Sequence, residues 1–286
     1  MRLATIETPR GPRSAVLLDN HYIDLEATDA SLPKSVRGLF EAGSSALKAA
    51  HQAAARSAKA VRYEAAGVQL LPPIPDPPKI VCLGLNYRDH AIESGAAIPK
   101  EPILFNKYAT ALIGHGGSIM LPRVSQEVDY EAELVIVVGK RGRNLKAAEG
   151  MNYVAGYTVG HDVSARDWQL KKEGKQWMVG KTFDTFAPIG PVIVTPEELF
   201  DPHNLRIRLR LNGQTMQDSN TSQMIFRIGE ILAYISQVFT IEPGDLIFTG
   251  TPPGVGFARK PPVFLKSGDV VEVEIDGIGV LRNPVL

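Results

Sequence analysis

With 286 residues, the chain is long for one domain and short for two full-sized ones, so a core of roughly 200 residues plus a smaller piece is the natural expectation. Its 31 basic and 31 acidic residues cancel to a formal net charge of zero without a long run of either sign, which argues against a duplex nucleic-acid partner. A 44% hydrophobic content excludes a disordered chain, while 26 Gly and 21 Pro favour a turn-rich, mostly β architecture.

The first residues, Met1 to Glu7, lack the continuous apolar region of a secretory leader and read as an opening strand. No stretch approaches the ~18 apolar residues of a membrane span, so no membrane partner is expected and the default location is cytoplasmic. Ser14–Leu18 and His21–Leu25 flank the turn Asp19-Asn20 as a hairpin. Residues 34 to 62 are Ala-rich and helical, with a break at Gly43. The proline-rich run Leu71 to Pro78 cannot be helix or central strand, and it closes a small N-terminal α/β domain, residues 1–72. Residues 73–286 form the larger domain. There Ile80–Leu85, Tyr130–Val138, Val154–Val159, Val192–Val194, Leu205–Leu211, Asp245–Thr249 and Val270–Ile275 read as strands. Arg88 to Ser94 and Met224 to Phe239 have helical spacing, the second capped by Thr221-Ser222. The fold class is therefore α+β, mostly β. The lone Cys82 lies in an apolar run, excludes an internal disulfide and reads as a small buried hydrophobe.

The segment Val128 to Val138 carries the clearest chemical signal. Strand alternation puts Val128, Tyr130, Ala132, Leu134, Ile136 and Val138 on one face and Asp129, Glu131 and Glu133 on the other. Glu131 and Glu133 then sit roughly 7 Å apart. Such charges repel, and a bound cation would turn the repulsion into a ligand set; the alternative is a solvated face of an edge strand. Asp162, at the end of the strand Val154–Val159, can swing inward to join them. Carboxylates without a cysteine in reach suit Mg²⁺, Mn²⁺ or Ca²⁺ rather than zinc. His161 faces the other way and reads as structural or as support for the ligands. His90 and Glu93, spaced i,i+3 on one helix, could form a general base in which the carboxylate orients the imidazole, or an ordinary surface pair.

Five ordered motifs between residues 80 and 285 resemble the fumarylacetoacetate hydrolase superfamily. They begin at Gly84-Leu85-Asn86-Tyr87-Arg88-Asp89-His90, Asp129-Tyr130-Glu131-Ala132-Glu133-Leu134, Gly160-His161-Asp162-Val163-Ser164-Ala165-Arg166-Asp167, Gly180-Lys181-Thr182-Phe183-Asp184 and Thr249-Gly250-Thr251-Pro252-Pro253-Gly254. The resemblance implies a mixed β-sandwich roll, usually as a homodimer. It implies that Glu131, Glu133 and Asp162 ligate Mg²⁺ or Mn²⁺, and that His90 and Glu93 are the catalytic dyad on a lid segment. It places Lys181 with the catalytic groups, and Arg166, Gln169 and Thr251 at the substrate.

The implied activity is metal-dependent hydrolysis of a C–C bond in an acylpyruvate-type 2,4-dioxo acid, through an enolate held at the metal. Oxaloacetate tautomerisation or decarboxylation would use the same site, and a small 2-oxo acid is the expected partner in each case. A non-catalytic binding protein is the remaining alternative. Nucleotide binding finds no support, since neither G-x-G-x-x-G after a strand nor G-x-x-x-x-G-K-[ST] is complete.

Overall fold

The computed structural model describes residues 1–55, 60–199 and 201–286. More of it is strand than helix. Among the described residues, a large sheet runs from Val61–Glu64 through His21–Asp24, Arg13–Leu18, Arg2–Ile6, Ala187–Val194, Val154–His161, Ala132–Val138, Leu246–Phe248 and Ile80–Gly84 to Ile103–Asn106. Neighbours on this path are antiparallel except Leu246–Phe248 beside Ile80–Gly84. A second sheet orders Gln214–Asn220, Arg206–Leu211, Val270–Ile275 and Gly279–Pro284.

The large sheet is covered on both faces, so its central strand is apolar on both. Leu134, Ile136 and Val138 point into a core shared with Ile207, Leu209, Val271 and Val273 of the small sheet and Ile231, Leu232 and Ile235 of the helix Ile228–Val238. Val135 and Val137 point the other way, into a core completed by Leu39 and Phe40 of the helix Val36–Ala42 and Ala50 and Ala53 of the helix Ser44–Ala55. This is the expected mixed sandwich with helices contributed by the N-terminal segment. The alternating Arg206–Leu211 strand buries Ile207 and Leu209, while Arg206, Arg208 and Arg210 pair with Asp218, Glu274 and Glu272 on neighbouring strands.

Three local expectations change. The Ala-rich helix breaks at Gly43, whose φ of 79° suits glycine, but it does not run to residue 62. Residues 56–59 lie outside the described residues, and Val61–Glu64 is a strand paired with His21–Asp24. The later helix starts at Ile228 and not at Met224. Residues 224–226 are held instead by the loop after Ile80–Gly84: Met224 bridges Tyr87, Ile225 N–H donates to the Asn86 carbonyl, and Phe226 N–H donates to Asn86 Oδ1. The helix is capped from within, by Glu230 accepting from Arg227 N–H at 2.7 Å. Finally, the acidic strand is interrupted. Val128–Asp129 pairs with Ser164–Ala165 in a separate two-stranded ribbon, and the long strand begins only at Ala132.

The segment expected as a separate small domain shares its sheet with the rest. Leu3 lies opposite Ile193 and is fully buried, and Thr5 Oγ1 donates to the Pro73 carbonyl in the proline-rich run. Both tryptophans, Trp168 and Trp177, lie beyond residue 73. Leu3→Ala is therefore expected to cost about 2–5 kcal/mol and to move the tryptophan fluorescence midpoint in urea. An unmoved midpoint would mean that the N-terminal segment unfolds on its own.

Candidate active site and metal centre

Two antiparallel neighbours bring the acids together. Ala132, at the start of one central strand, lies opposite His161, at the end of the next. Glu131 precedes the first and Asp162 follows the second, and Asp162 N–H donates to the Glu131 carbonyl at 2.9 Å. Glu133 lies opposite Gly160, where a Cβ would meet the side chains of Val135 and Phe248. One carboxylate oxygen from each of Glu131, Glu133 and Asp162 falls within 4.8 Å of the others, and all three residues are buried.

Buried cations face the acids. Lys181 Nζ lies 2.8 Å from both Glu131 Oε2 and Asp162 Oδ2. Arg166 Nη2 lies 2.6 Å from Glu131 Oε1, and its Nε lies 2.8 Å from Asp129 Oδ2. Asp129 also accepts from the backbone N–H groups of Tyr130, Gly256 and Phe257. It is thus the anchor of Arg166, and it does not line up with Glu131 and Glu133 as alternation had suggested. Gln169 Oε1 accepts from Arg166 Nη1 at 2.9 Å. Thr251 Oγ1 accepts from Gln217 Nε2 at 2.9 Å, which leaves its own O–H to donate elsewhere.

These contacts set the protonation of the cluster. Burial pushes the Glu131 carboxyl up, but Lys181 and Arg166 outweigh it and hold Glu131 well below the usual range. Burial also pushes Glu133 up, and Asp162 and Glu131 push it further, so it keeps its proton far more tightly than an ordinary carboxyl. Its Oε2 accepts from Gly250 N–H at 2.8 Å, while its buried Oε1 has no hydrogen-bond partner among the described residues. An orphaned acceptor in a set of hard oxygen donors is the arrangement a divalent cation completes. The residues present therefore fit a metal ion of that class.

The His–Glu pair forms on the helix Arg88–Ser94, which ends at Gly95 in the left-handed conformation. His90 Nδ1 lies 3.0 Å from Glu93 Oε2, and Glu93 Oε1 accepts from Gly254 N–H at 2.9 Å. The glycine-rich turn after Leu246–Phe248 thus touches both groups: Gly250 holds Glu133 and Gly254 holds Glu93.

Residues 79–286 match the family model described as Fumarylacetoacetate (FAA) hydrolase C-terminal. The chain belongs to the fumarylacetoacetate hydrolase family. It is 50% identical, over all of its length and 90% of the relative's, to a protein of Xenopus laevis named oxaloacetate tautomerase fahd2, mitochondrial. It is 48% identical to the Homo sapiens protein named oxaloacetate tautomerase FAHD2A, mitochondrial, over all of this chain and 92% of that one. Among solved structures, the fumarylacetoacetate hydrolase of Exiguobacterium antarcticum superposes with a TM-score of 0.86 at 36% identity, over all of this chain and 99% of that one. The mitochondrial names of the two relatives overturn the cytoplasmic expectation.

Against this family background, two buried groups escaped the sequence reading. Lys107 reaches Asp162 from the loop after Ile103–Asn106, and Gln217 joins Ala132 N–H to Thr251 from the small sheet. Neither sits in a patterned motif; only the packing of distant strands brings them here. His161 is buried beside the cluster, and burial with the nearby Lys107 charge pulls its imidazole down to about 3, so it is neutral. Because Glu133 holds a proton that a metal must displace, metal binding is expected to release protons and to weaken as pH falls. Calorimetric titration of metal-stripped protein with Mg²⁺, in buffers of different ionisation heat, would read this directly; heats independent of the buffer would contradict it.

Proposed function

We propose that the chain is a divalent-metal-dependent keto–enol tautomerase of a small 2-oxo acid, with oxaloacetate as the substrate and Mg²⁺ or Mn²⁺ as the metal. The observation that carries this reading is the buried cluster of Glu131, Glu133 and Asp162, in a chain half identical along its whole length to a protein named oxaloacetate tautomerase. Ordering the activities from sequence alone put C–C hydrolysis first; the names of the relatives support the tautomerase instead.

Electrostatics suit an acid substrate. With Glu133 protonated, the three remaining carboxylates of Asp129, Glu131 and Asp162 balance the three cations Lys107, Arg166 and Lys181. A divalent ion that displaces the Glu133 proton leaves one net positive charge for an anion. When bound, the ion supplies a Lewis acid that favours negative charge on an adjacent oxygen. Lys181 adds an ammonium to the same region, and fixed charges of this kind lower the barrier because they need not reorganise. Glu93 engages His90 at Nδ1, which leaves Nε2 as the nitrogen that takes the proton from C3 of the keto form and returns one in the reverse direction. The Thr251 hydroxyl and the Gln169 amide N–H₂ are the donors available for the substrate carboxylate.

A second reading, hydrolysis of an acylpyruvate, uses the same His90–Glu93 pair to activate water, and likeness to a structure named fumarylacetoacetate hydrolase keeps it in view. The two separate in one assay. Enol oxaloacetate incubated with the protein and Mg²⁺ should lose its enol absorbance without releasing pyruvate, and acetylpyruvate and fumarylpyruvate should not be cleaved. Pyruvate release from the acylpyruvates would favour hydrolysis. His90→Ala is expected to slow turnover by about 10²- to 10⁴-fold with metal affinity retained, whereas Glu131→Ala should lose the metal. Absence of turnover would support a binding protein, and turnover indifferent to His90→Ala would remove the imidazole as the base.

A further inference from the structure

Lys107 is a buried cation that the proposed chemistry does not use. It follows the edge strand Ile103–Asn106, and its side chain is fully buried. Its Nζ lies 2.7 Å from Asp162 Oδ1. It also donates to the backbone carbonyls of Val163 at 3.1 Å, Phe186 at 2.8 Å and Lys181. An ammonium has three N–H donors, which the three carbonyls take up, so the contact with Asp162 Oδ1 is an ion pair and no donor is left for a substrate. The acceptors come from separate pieces of chain: the turn that carries Asp162, the end of the helix Trp177–Lys181, and the residue before the strand Ala187–Val194.

We infer that Lys107 is a positioning residue of the metal centre, fixing the Asp162 carboxylate and, through the Lys181 carbonyl, the helix end from which the Lys181 ammonium reaches Glu131 and Asp162. The inference rests on the reading of Glu131, Glu133 and Asp162 as metal ligands. Its logic is that of a partner behind a ligating group: Asp162 can face a cation in only a few orientations, and a buried ion pair at its Oδ1 selects among them. Two other roles are physically available, and each predicts a different result. A purely electrostatic lysine would repel the ion, so its removal would tighten metal binding. A purely structural lysine would alter stability and leave metal affinity unchanged.

Metal-stripped full-length wild type, Lys107→Met and Lys107→Gln separate these roles by calorimetric titration with Mn²⁺, with circular dichroism as the check on folding. Methionine keeps the unbranched apolar stem without the charge or donors, and glutamine restores two donors. Lys107→Met is expected to bind Mn²⁺ about 10- to 100-fold more weakly than wild type, and Lys107→Gln to recover part of that loss. Unchanged or tighter binding in a folded variant overturns the inference. Loss of the fold in both variants assigns Lys107 to stability alone and overturns it too. A wild type that binds no Mn²⁺ removes the metal centre itself and the positioning role with it, a failure told apart from the others because it appears in the unmutated arm.

Discussion

Four carboxylates buried in one corner of the molecule are the constraint around which the rest is arranged. Removing an ion from water carries a penalty of several kcal/mol even after relaxation, so each acid needs compensation within hydrogen-bonding reach. Asp129 has Arg166 and three backbone N–H groups. Glu131 has Arg166 and Lys181, and Asp162 has Lys181 and Lys107. Glu133 has one backbone N–H on one oxygen and none on the other among the described residues. Asp162 Oδ1 also lacks a hydrogen bond but has the Lys107 ammonium beside it, so Glu133 is the acid left without a cation. Burial and the neighbouring acids favour the protonated form of Glu133, and a cation shared by Glu131, Glu133 and Asp162 would relieve the same repulsion.

The sheet topology makes this concentration possible. A carboxylate in the middle of a two-faced sheet would meet only aliphatic neighbours, such as Val135 and Val137 here. At the shared end of two antiparallel strands, the polypeptide leaves the sheet and its side chains turn toward one another. The turn after Leu246–Phe248 caps that end with backbone N–H groups. Gly250, at φ 93°, leaves no space for a side chain, since a Cβ would meet Asn86 at 2.8 Å. One turn thus fixes the partner of Glu133 at one end and, through Gly254, the carboxylate that engages His90 at the other. The acidic cluster and the His90–Glu93 pair are coupled through backbone.

Legibility in the sequence followed the range of the interactions. The Val270–Ile275 strand and the Arg88–Ser94 helix fall on the expected residues because their patterns are local and strong. The convergence of Glu131, Glu133 and Asp162 could be anticipated because two adjacent acids in an apolar strand are a local anomaly. Asp129 was misassigned by the same alternation rule, which holds only while the strand continues, and here it stops after that residue. The start of the Ile228–Val238 helix was placed too early because the periodicity of 224–226 is helical while Asn86, distant in sequence, takes up the backbone donors of Ile225 and Phe226. Lys107 and Gln217 had no signal at all. Their roles exist only in three dimensions, where a loop lysine finds an acid 55 residues downstream.

The distinction between tautomerase and hydrolase turns on what stands before the base, not on the base itself. Proton transfer at carbon and attack by water both call for an imidazole held in one orientation, and Glu93 supplies that for either. Hydrolysis needs a water beside Nε2; tautomerisation is served best when water is kept out. Here the helix that carries His90 is tied down along its length. Arg88 reaches the Met224 carbonyl, Asp89 holds Ser219 of the small sheet, and Glu93 takes the Gly254 N–H, while His90 itself is 9% exposed. Such a helix fixes the base but would serve either reaction, so it is the names of the relatives that favour the tautomerase.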